Sequence, residues 1–348
     1  MSPAEHPKIS VVIPTRDRAG LLDDCLPSVL AQRTEAPFEV VVVDNGSSDA
    51  TPETIERWSR SDTRVRGVRE DRVGRAVALN AGVSVARGEL LLFTDDDVYA
   101  QPGWIEAYVR LFAAKGRGAR TIAGGTIHPV PIEGAWPSWF AEGAARSLVF
   151  VDWGEERILD PEETVWGANM AVPAALFRDI GLWDESAGIR GSERPPLASP
   201  ELNEDIAFQE RVREAGGAVW FCPDAVVHHR TALPGPRRIL AKGFANGRND
   251  YRRAPRPGVP VDRSRGARSA AGSLALATAL ARLSVWSGAF RVRRSAVAFE
   301  RAWLSAWSSG WRLEDLLADG KRDGFDRTSR RVVQSVKEAA LRLAPGRG

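Results

Sequence analysis

Cysteine is scarce in this sequence, which excludes a fold held together by several disulfides or by a cysteine-rich zinc site. The 348 residues contain two cysteines, Cys25 and Cys222, and these do not form a Cys-x-x-Cys pair. Disulfide frameworks and structural zinc sites both need more cysteines at closer spacing. A reducing compartment fits this composition, so we expect a cytoplasmic protein.

Long apolar runs are also missing, which argues against a membrane-spanning protein. No uninterrupted run of 18 apolar residues occurs, and the first residues, MSPAEHPKISVVIP, lack a basic region followed by an apolar one. From these two absences we expect a protein that is either soluble or peripheral on the cytoplasmic face of the membrane.

The sequence does contain enough apolar material for a large core, together with an uneven distribution of charge. Hydrophobic residues make up 43% and charged residues 27%, which is the composition of a globular protein. The first 229 residues carry 23 basic and 36 acidic side chains, whereas the remainder carries 25 basic and 9 acidic ones. We therefore predict an acidic body followed by a basic tail, beneath a net charge of only +3.

Strand-like and helix-like segments alternate over the first hundred residues. The strand-like runs are KISVVIPT, FEVVVVD, VRGV and ELLLFT, and the helical segments between them are AGLLDDCLPSVLAQ, TPETIERWSR and GRAVALNAGVSVARG. Strands that are apolar throughout and separated by helices are typical of a parallel sheet covered on both faces. The order predicts a nucleotide-binding type of α/β fold, with a mostly parallel, Rossmann-like sheet.

Beyond residue 120 the order of elements is mixed. RTIAGGTIHP and AVWFCPDAVVHHR are strand-like, whereas PAALFRDIG and NEDIAFQERVREAGG have helical patterns. Between the two helical segments, residues 188–201 form a polar stretch rich in proline and glycine. We expect this stretch to be a flexible lid.

Polar residues stand where three of the predicted strands end. These ends are Pro14-Thr15-Arg16-Asp17, Asp44-Asn45-Gly46-Ser47 and Asp95-Asp96-Asp97. Ligands of open α/β sheets bind beyond the carboxyl ends of the strands, so we expect the three groups to converge on one edge. Taken singly, each group also fits a turn or a helix cap, and the site interpretation depends on their common place.

Each group suits one part of a nucleotide ligand. Asp44 can accept a hydrogen bond from a base N–H, and Arg16 or Arg75 can face a phosphate. Asp95 and Asp97 offer hard oxygen ligands for Mg²⁺ or Mn²⁺ against a diphosphate. Such a cation would offset the repulsion among three adjacent carboxylates.

The chain resembles the family 2 glycosyltransferases, which have the GT-A fold. The resemblance covers residues 8 to about 250 and follows the family's order through ISVVIPTRDR, EVVVVDNGSSDAT, GRAVALNAGVSVARGELLLFTDDDVYAQPGW, WGANMAVPAALFRDIGLWDE, NEDIAFQERVREAGG and PDAVVHHR. It implies a metal-dependent, inverting transfer of a sugar from a nucleotide-diphosphate sugar to a hydroxyl group. The acceptor would be a glycan, a lipid-linked molecule or a small molecule.

The resemblance also implies roles for individual residues. Asp205 would be the general base with Glu204 beside it, and Asp95 and Asp97 would be the two acids of the Asp-x-Asp metal motif. His229 would close the metal site, with His228 as its rival. The residues implied to bind the nucleotide sugar are Pro14, Thr15, Arg16, Asp44, Arg75, Asp95, Asp96 and, near the transferred sugar, Asn169.

The chemistry of the residues agrees with the base assignment. An inverting transfer needs a carboxylate that takes the acceptor's proton and a Lewis acid that stabilises the departing diphosphate. Asp205 begins a helical segment, where the helix dipole favours its anionic form. Glu204 and Asp205 also fit the simpler role of first-turn acids.

The chain departs from the family's pattern at two places, and these limit which residue roles the resemblance implies. The stretch before Asn203-Glu204-Asp205 is longer and richer in proline, so contacts to the acceptor are not transferred. Arg16-Asp17-Arg18 stands where family members more often have a turn that contains asparagine. The role of Asp17 is therefore left open.

We predict a catalytic domain over residues 1–250, with a nucleotide-binding half at about 8–118 and an acceptor half at about 119–250. A linker over 251–268 and a basic, Trp-rich helical extension over 269–348 would follow. The apolar stripes of this extension suit packing on the catalytic domain or a homodimer, and its arginines and tryptophans also suit an anionic membrane surface. No motif for reading nucleic acid accompanies the arginines, so nucleic acid is not an expected partner.

Two other functions stay open at this stage. A sugar nucleotidyltransferase also uses an α/β domain and acidic metal ligands, although IPTRDRAG is a poor match to a glycine-rich phosphate loop. A non-catalytic scaffold that binds glycans or membranes is the other alternative, and the intact acids at 95, 97 and 205 argue against it.

Overall fold

The computed structural model of the chain describes residues 7–115, 120–138, 140, 148–161, 163–186 and 204–233, and the single positions 235, 236, 239, 240, 243, 282, 287, 301, 302, 304, 305 and 308. The chain divides into two compact units. The first comprises residues 1–132, 149–192 and 201–231, and the second comprises 133–148, 193–200 and 232–348. The predicted lid, the predicted linker and most of the predicted helical extension lie outside the described residues.

The first unit contains a nine-stranded sheet. Its strands are β1 (Ile9–Thr15), β2 (Phe38–Asp44), β3 (Val65–Arg69), β4 (Leu90–Thr94), β5 (Val98–Ala100), β6 (Thr121–Pro131), β7 (Arg157–Ile158), β8 (Asn169–Pro173) and β9 (Ala218–Thr231). Their order across the sheet is β3-β2-β1-β4-β8-β6-β9-β5, and β7 pairs with β9. The described helices are α1 (Ala19–Leu30), α2 (Thr51–Ser61), α3 (Arg75–Val85), α4 (Trp104–Lys115), α5 (Ala174–Ile180) and α6 (Glu204–Glu214).

The predicted parallel sheet is confirmed for the first four strands. β1 pairs in parallel with both β2 and β4, and β2 pairs in parallel with β3. Thr15 lies opposite Asp44 in this register, so the first two strand ends are neighbours. The strands are almost wholly buried because helices cover both faces of a parallel sheet.

Close contact between α3 and the sheet depends on one glycine. A Cβ atom at Gly82 would lie 2.4 Å from Cγ1 of Val12 and 3.2 Å from Cγ2 of Val43. Because only glycine leaves this space free, α3 packs directly on β1 and β2. The helix α3 ends at Val85, three residues before Gly88, where the predicted helical segment ends.

The second half of the sheet contains elements that the sequence pattern did not predict. β8 runs antiparallel between β4 and β6, and β5 forms an antiparallel edge against β9. The helix α4 is also additional, with Trp104 and Tyr108 fully buried. β6 and β9 are parallel neighbours, as long strands at the predicted positions.

The described part of the second unit contains few residues. The rings of Trp136 and Phe140 lie 5.1 Å apart, and Ile239, Leu240 and Ala302 are buried. Among the described residues of the whole chain, no helix has the length and apolar character needed to cross a bilayer.

Candidate active site

The three adjacent acids lie in the short connection between β4 and β5. β5 then pairs with β9, and this pairing sets Val98 opposite His229. A histidine more than 130 residues away in sequence therefore lies beside this connection, residues 95–97, which we call the acid loop. His228, its neighbour in β9, packs against the ring of His128 instead, with ring centroids 5.9 Å apart.

Asp95, Asp97 and His229 form a group with the geometry of a metal site. One ligand atom from each residue lies within 4.8 Å of the other two. Nε2 of His229 lies 3.3 Å from Oδ1 of Asp97 and 3.8 Å from Oδ2 of Asp95. Nδ1 of the same ring lies 3.0 Å from Oγ1 of Thr231, a contact that orients Nε2 toward the acids.

One oxygen of this group makes no hydrogen bond within the described part of the chain, although it lies 3.3 Å from Nε2 of His229. Oδ1 of Asp97 is buried and takes part in no hydrogen bond with the described residues. A buried carboxylate oxygen without a donor is unfavourable unless a cation or a donor reaches it. The residues present therefore fit a divalent cation held by two carboxylates and an imidazole.

Arg18 holds the outer side of the acid loop. Its Nη1 donates to Oδ1 of Asp96 at 2.9 Å and to Oδ2 of Asp97 at 2.8 Å. Thr15 donates from its hydroxyl to Oδ2 of Asp96 at 2.6 Å. These bonds engage the second oxygen of Asp97 and leave its Oδ1 facing His229.

Arg75, the first residue of α3, holds the other metal-motif acid. Its Nη2 donates to Oδ1 of Asp95 at 2.6 Å, and its Nη1 donates to Oε1 of Glu204. Oδ2 of Asp95 is thereby left on the side of His229. Arg18 binds Asp97 and Arg75 binds Asp95, each through the outer oxygen of the carboxylate. The other, inner oxygen of each carboxylate faces the imidazole of His229.

Burial and charge act in opposite directions on these acids. Burial raises the pKa of Asp95, but Arg75 and His229 outweigh it and hold that pKa below its ordinary value. Burial raises the pKa of Asp96 to about 6 against the opposing arginine, and it also raises the pKa of Asp97. The pKa of His229 is raised, because its contacts with the two acids outweigh its burial. The site therefore has more buried negative charge than its arginines neutralise, which favours a bound cation.

Asp205 lies buried in the first turn of α6. Its Oδ2 accepts from the backbone N–H of Gly167 at 3.0 Å, and its Oδ1 accepts from the N–H of Ile206 at 2.8 Å. Burial raises its pKa to about 6, Arg75 opposes this rise, and Glu204 adds to it. A carboxylate with this pKa is ionised near neutral pH and basic enough to accept a proton.

A cleft of about 410 Å³ opens beyond the carboxyl ends of the strands. Nine residues that the sequence singled out line it: Pro14, Thr15, Arg16, Asn45, Arg75, Asp95, Asp96, Asp97 and His229. Arg18, Val73, Gly74 and Ala78 complete the lining. Residues from all three strand ends line the cleft, so their expected convergence on one edge is observed.

Asp44 and Asn169 are bound to other protein groups rather than lining this cleft. Asp44 accepts from the N–H of Ser47 at 2.9 Å and from Nη1 of Arg69 at 2.7 Å. The base contact of Asp44 stays a prediction, one that needs the Arg69 pair to open or to share the carboxylate.

The Asn169 side chain is fully hydrogen-bonded inside the protein. Its amide nitrogen donates to the carbonyls of Thr126 and Ala225, and its oxygen accepts from Trp104 and Tyr108, at 2.7 to 2.9 Å. These four bonds use its whole hydrogen-bonding capacity. Nearness of Asn169 to the transferred sugar stays a prediction, and its contacts indicate a structural role.

Asp17 joins two of the loops that form the cleft. Its N–H donates to Oγ of Ser47, and its carboxylate accepts from the N–H and hydroxyl of Ser48. Its φ of 51° is in the left-handed region, where aspartate is one of the few tolerated residues. The residue that the sequence left without a role thus fixes the loop after β1 to the loop after β2.

Arg18 is the main site residue that sequence reasoning missed. It stands immediately before α1, and its side chain is 46% exposed while it contacts two buried acids. The available signal was its place in a polar run directly after a strand end. That run contains two arginines, and the sequence does not tell which of them turns toward the acid loop.

Comparisons with known proteins agree with these observations. Residues 10–132 match the family model described as glycosyl transferase family 2. The validoxylamine A glucosyltransferase of Streptomyces hygroscopicus subsp. limoneus is 31% identical over 203 residues, covering 51% of this chain. The chain covers 44% of that protein, less than half of its length. Glycosyltransferase AglE of Haloferax volcanii is 26% identical over 246 residues, covering 70% of this chain and 72% of that protein.

A solved structure shows the same fold. The crystal structure of GalNAc-T7 with UDP, GalNAc and Mn²⁺ has a TM-score of 0.51 at 16% identity, and covers 73% of this chain and 52% of that one. The GT-A fold expected from the sequence is thereby confirmed.

Proposed function

Residues 10–132 of the chain match the family model for glycosyl transferase family 2, and from that match we propose that the protein is a metal-dependent, inverting glycosyltransferase. It would move a sugar from a nucleotide-diphosphate sugar to the hydroxyl of a glycan, a lipid-linked molecule or a small molecule. The cation would be Mn²⁺ or Mg²⁺, with Mn²⁺ favoured because Mg²⁺ prefers a shell of oxygen ligands alone.

One observation carries the proposal. Asp95, Asp97 and His229 bring three ligand atoms within 4.8 Å of one another, and one of these atoms is a buried oxygen without a hydrogen bond. This group opens into a cleft at the strand ends, which is where α/β sheets bind nucleotides. The GalNAc-T7 structure, which shares the fold, contains UDP and Mn²⁺.

The donor would bind along the strand ends. Pro14, Thr15 and Arg16 line the cleft at the end of β1 and would form one wall of the nucleotide site. Asp44 would accept from the base, and Asp95, Asp97 and His229 would hold the cation. When bound, that cation supplies positive charge that stabilises the departing diphosphate.

The chain's own residues would handle the proton. Asp205 is buried and fixed by two backbone N–H groups, so its carboxylate has one orientation. In the proposed reaction it takes the proton of the acceptor hydroxyl while that oxygen attacks the anomeric carbon from the side opposite the diphosphate. A single displacement of this kind inverts the configuration at that carbon.

A thermal-shift screen followed by a hydrolysis assay tests this function. UDP-, GDP- and dTDP-sugars are added with and without Mn²⁺, and a true donor stabilises the protein by about 2.7 kcal/mol at 100 times its Kd. The stabilising sugar nucleotide is then incubated alone, and release of nucleoside diphosphate is expected. Release of inorganic diphosphate from a nucleoside triphosphate and a sugar 1-phosphate would instead indicate a nucleotidyltransferase. Failure of every donor to bind or turn over would contradict the proposal.

A further inference from the structure

One guanidinium connects the metal-binding acids to the helix that carries the candidate base. Arg75 donates through Nη2 to Asp95 and through Nη1 to Glu204, the first residue of α6. Its side chain is 33% exposed, whereas that of Glu204 is only 7% exposed. Arg75 is the side chain to which Glu204 is hydrogen-bonded among the described residues, and a buried glutamate depends strongly on such a partner.

The Arg75 guanidinium also lies against Gly167, the backbone residue that binds the candidate base. A Cβ atom at Gly167 would lie 3.0 Å from both Nη1 and Nη2 of Arg75, so the guanidinium lies directly against this residue. The N–H of Gly167 in turn donates to Oδ2 of Asp205. Arg75 therefore contacts one backbone residue that itself binds the candidate base.

The rest of α6 is held by bonds further along the helix. Gln209 accepts from the N–H of Val165 at 2.9 Å and donates to its carbonyl at 2.8 Å. Its Nε2 also donates to the backbone carbonyl of Asp205 at 2.9 Å, so Gln209 links the second turn to the first. The side chains of the first turn, Glu204 and Asp205, are held by Arg75 and by the N–H of Gly167.

We propose that Arg75 is a positioning residue that fixes the candidate base Asp205 relative to the metal ligand Asp95, and that Glu204 serves this connection rather than proton transfer. The proposal rests on the glycosyltransferase function proposed above. In the part of the chain that the structure describes, the charged groups that act on Asp205 are Arg75 from α3 and Glu204 from its own helix. Its remaining partners are backbone N–H groups.

The competing role for Arg75 is direct contact with the donor's diphosphate, as its place in the cleft also suggests. The two roles differ in their dependence on Glu204. A positioning residue acts through its partner, so loss of both residues should be no worse than loss of one. A phosphate ligand acts on the donor, and its loss should add to any effect of changing Glu204.

The experiment compares Arg75→Met, Glu204→Gln and the double variant with Arg66→Met as a matched control. Arg66 also pairs with a buried glutamate, Glu39, and the exposed fractions of that pair are 31% and 8%. It lies on β3, outside the residues that line the cleft. Three quantities are measured: hydrogen exchange at the amides of Gly167 and Ile206, affinity for inorganic diphosphate with Mn²⁺, and kcat and KM for donor hydrolysis.

We expect faster exchange at both amides in Arg75→Met and in Glu204→Gln, no further increase in the double variant, and no change in Arg66→Met. The kcat should fall about 100-fold in each single variant and no further in the double variant, because small misplacements of a catalytic group have effects of this size. At saturating Mn²⁺, diphosphate affinity should change by less than threefold, on the order of the scatter in such additivity tests.

Several results would overturn the proposal. An Arg75→Met variant that exchanges and turns over like Arg66→Met would exclude a positioning role. Loss of diphosphate affinity that adds to the effect of Glu204→Gln would assign Arg75 to the donor instead. Full activity in Arg75→Lys would show that charge alone suffices, since lysine cannot form the same planar double contact.

The exchange measurement separates this proposal from the proposed function. It reports the contact of Asp205 with Gly167 and Ile206 whether or not the wild-type protein hydrolyses a donor. If no donor is turned over but exchange follows the expected pattern, the proposed function fails and the connection through Arg75 stands as a structural one. If donors are turned over but exchange is unaffected, only the positioning role fails.

Discussion

The acid loop shows how the two oxygens of one carboxylate can serve different partners. Arg18 and Arg75 bind the outer oxygens of Asp97 and Asp95, and the inner oxygens face His229. Hydrogen bonds to the outer oxygens orient the carboxylates before any cation arrives. This arrangement explains how three consecutive acids remain folded at a buried strand end.

Asp205 is the residue on which transfer should depend most. We predict that Asp205→Asn lowers kcat about 1,000-fold, because general base catalysis contributes factors of this order. Donor affinity should stay within about threefold, since Asp205 binds backbone groups of the protein and is not among the residues that line the cleft. Steady-state hydrolysis and calorimetric donor binding measure the two effects, and near-normal turnover would remove Asp205 from the base role.

The raised pKa of Asp205 predicts a dependence of activity on pH. Its pKa lies at about 6, and the proposed base must be ionised, so kcat/KM should rise with pH up to about 6 and then level off. A pH–rate profile checks this. An acidic limb that stays near the ordinary value of an exposed aspartate would show that burial does not act on the catalytic group.

The raised pKa of Asp205 also predicts that stability falls with rising pH, whereas activity rises. The folded-state pKa of about 6 exceeds the ordinary value of 3.8, so the native state holds more protons between these two pH values. The contribution of Asp205 to the free energy of unfolding is therefore present below pH 3.8 and is lost as the pH rises through 6. Urea unfolding of wild type and Asp205→Asn should show their difference shrinking by roughly 3 kcal/mol over this range. A difference that does not change with pH would contradict the shift.

At the scale of secondary structure, β8 is the element that most changes the expected architecture. It inserts antiparallel between β4 and β6 and begins with Asn169. The amide of Asn169 then binds carbonyls of β6 and of residue 225 in β9, while α4 supplies two donors to its oxygen. One side chain thereby joins three strands and a helix.

We predict that Asn169→Ala lowers the free energy of unfolding by about 4 kcal/mol or more, because it leaves several buried polar groups unpaired. Trp104→Phe removes only one of the two donors to the same oxygen. Its loss of hydrogen bonding should therefore lower the free energy of unfolding by less than Asn169→Ala does. Chemical denaturation of both variants measures the effect. Unchanged stability together with lost donor affinity would favour the sugar contact that the sequence resemblance implies.

Sequence pattern predicted the elements whose signal is local. Apolar runs and helical spacing identify β1 to β4 with α1 to α3, because parallel strands and amphipathic helices carry that signal along the chain. β8 was missed because Asn169–Pro173 begins with a polar residue and ends with a proline, so it lacks the continuous apolar run of β4, and because the strands it pairs with are distant in sequence. The orientation of Arg18 was missed for a related reason, since the choice between Arg16 and Arg18 depends on the turn at Asp17.

At the scale of the whole molecule, the proposed site exists only in the folded chain. Its metal ligands come from the end of β4 and from β9, and its base comes from α6. The family model covers residues 10–132, so it includes the two acids but neither the histidine nor the base. The assignment of those two residues depends on the fold, which brings His229 beside the acid loop and Asp205 near Arg75, the hydrogen-bond partner of Asp95.

The central claim is that Asp95, Asp97 and His229 bind one divalent cation. Titration of the protein with Mn²⁺, followed by electron paramagnetic resonance of the free ion, tests it most directly in wild type, Asp97→Asn and Asp224→Asn. Asp224 is an exposed aspartate of β9 and serves as the control. The account predicts one site in wild type and in Asp224→Asn, with affinity at least about tenfold weaker in Asp97→Asn. Equal Mn²⁺ affinity in Asp97→Asn and wild type would contradict it.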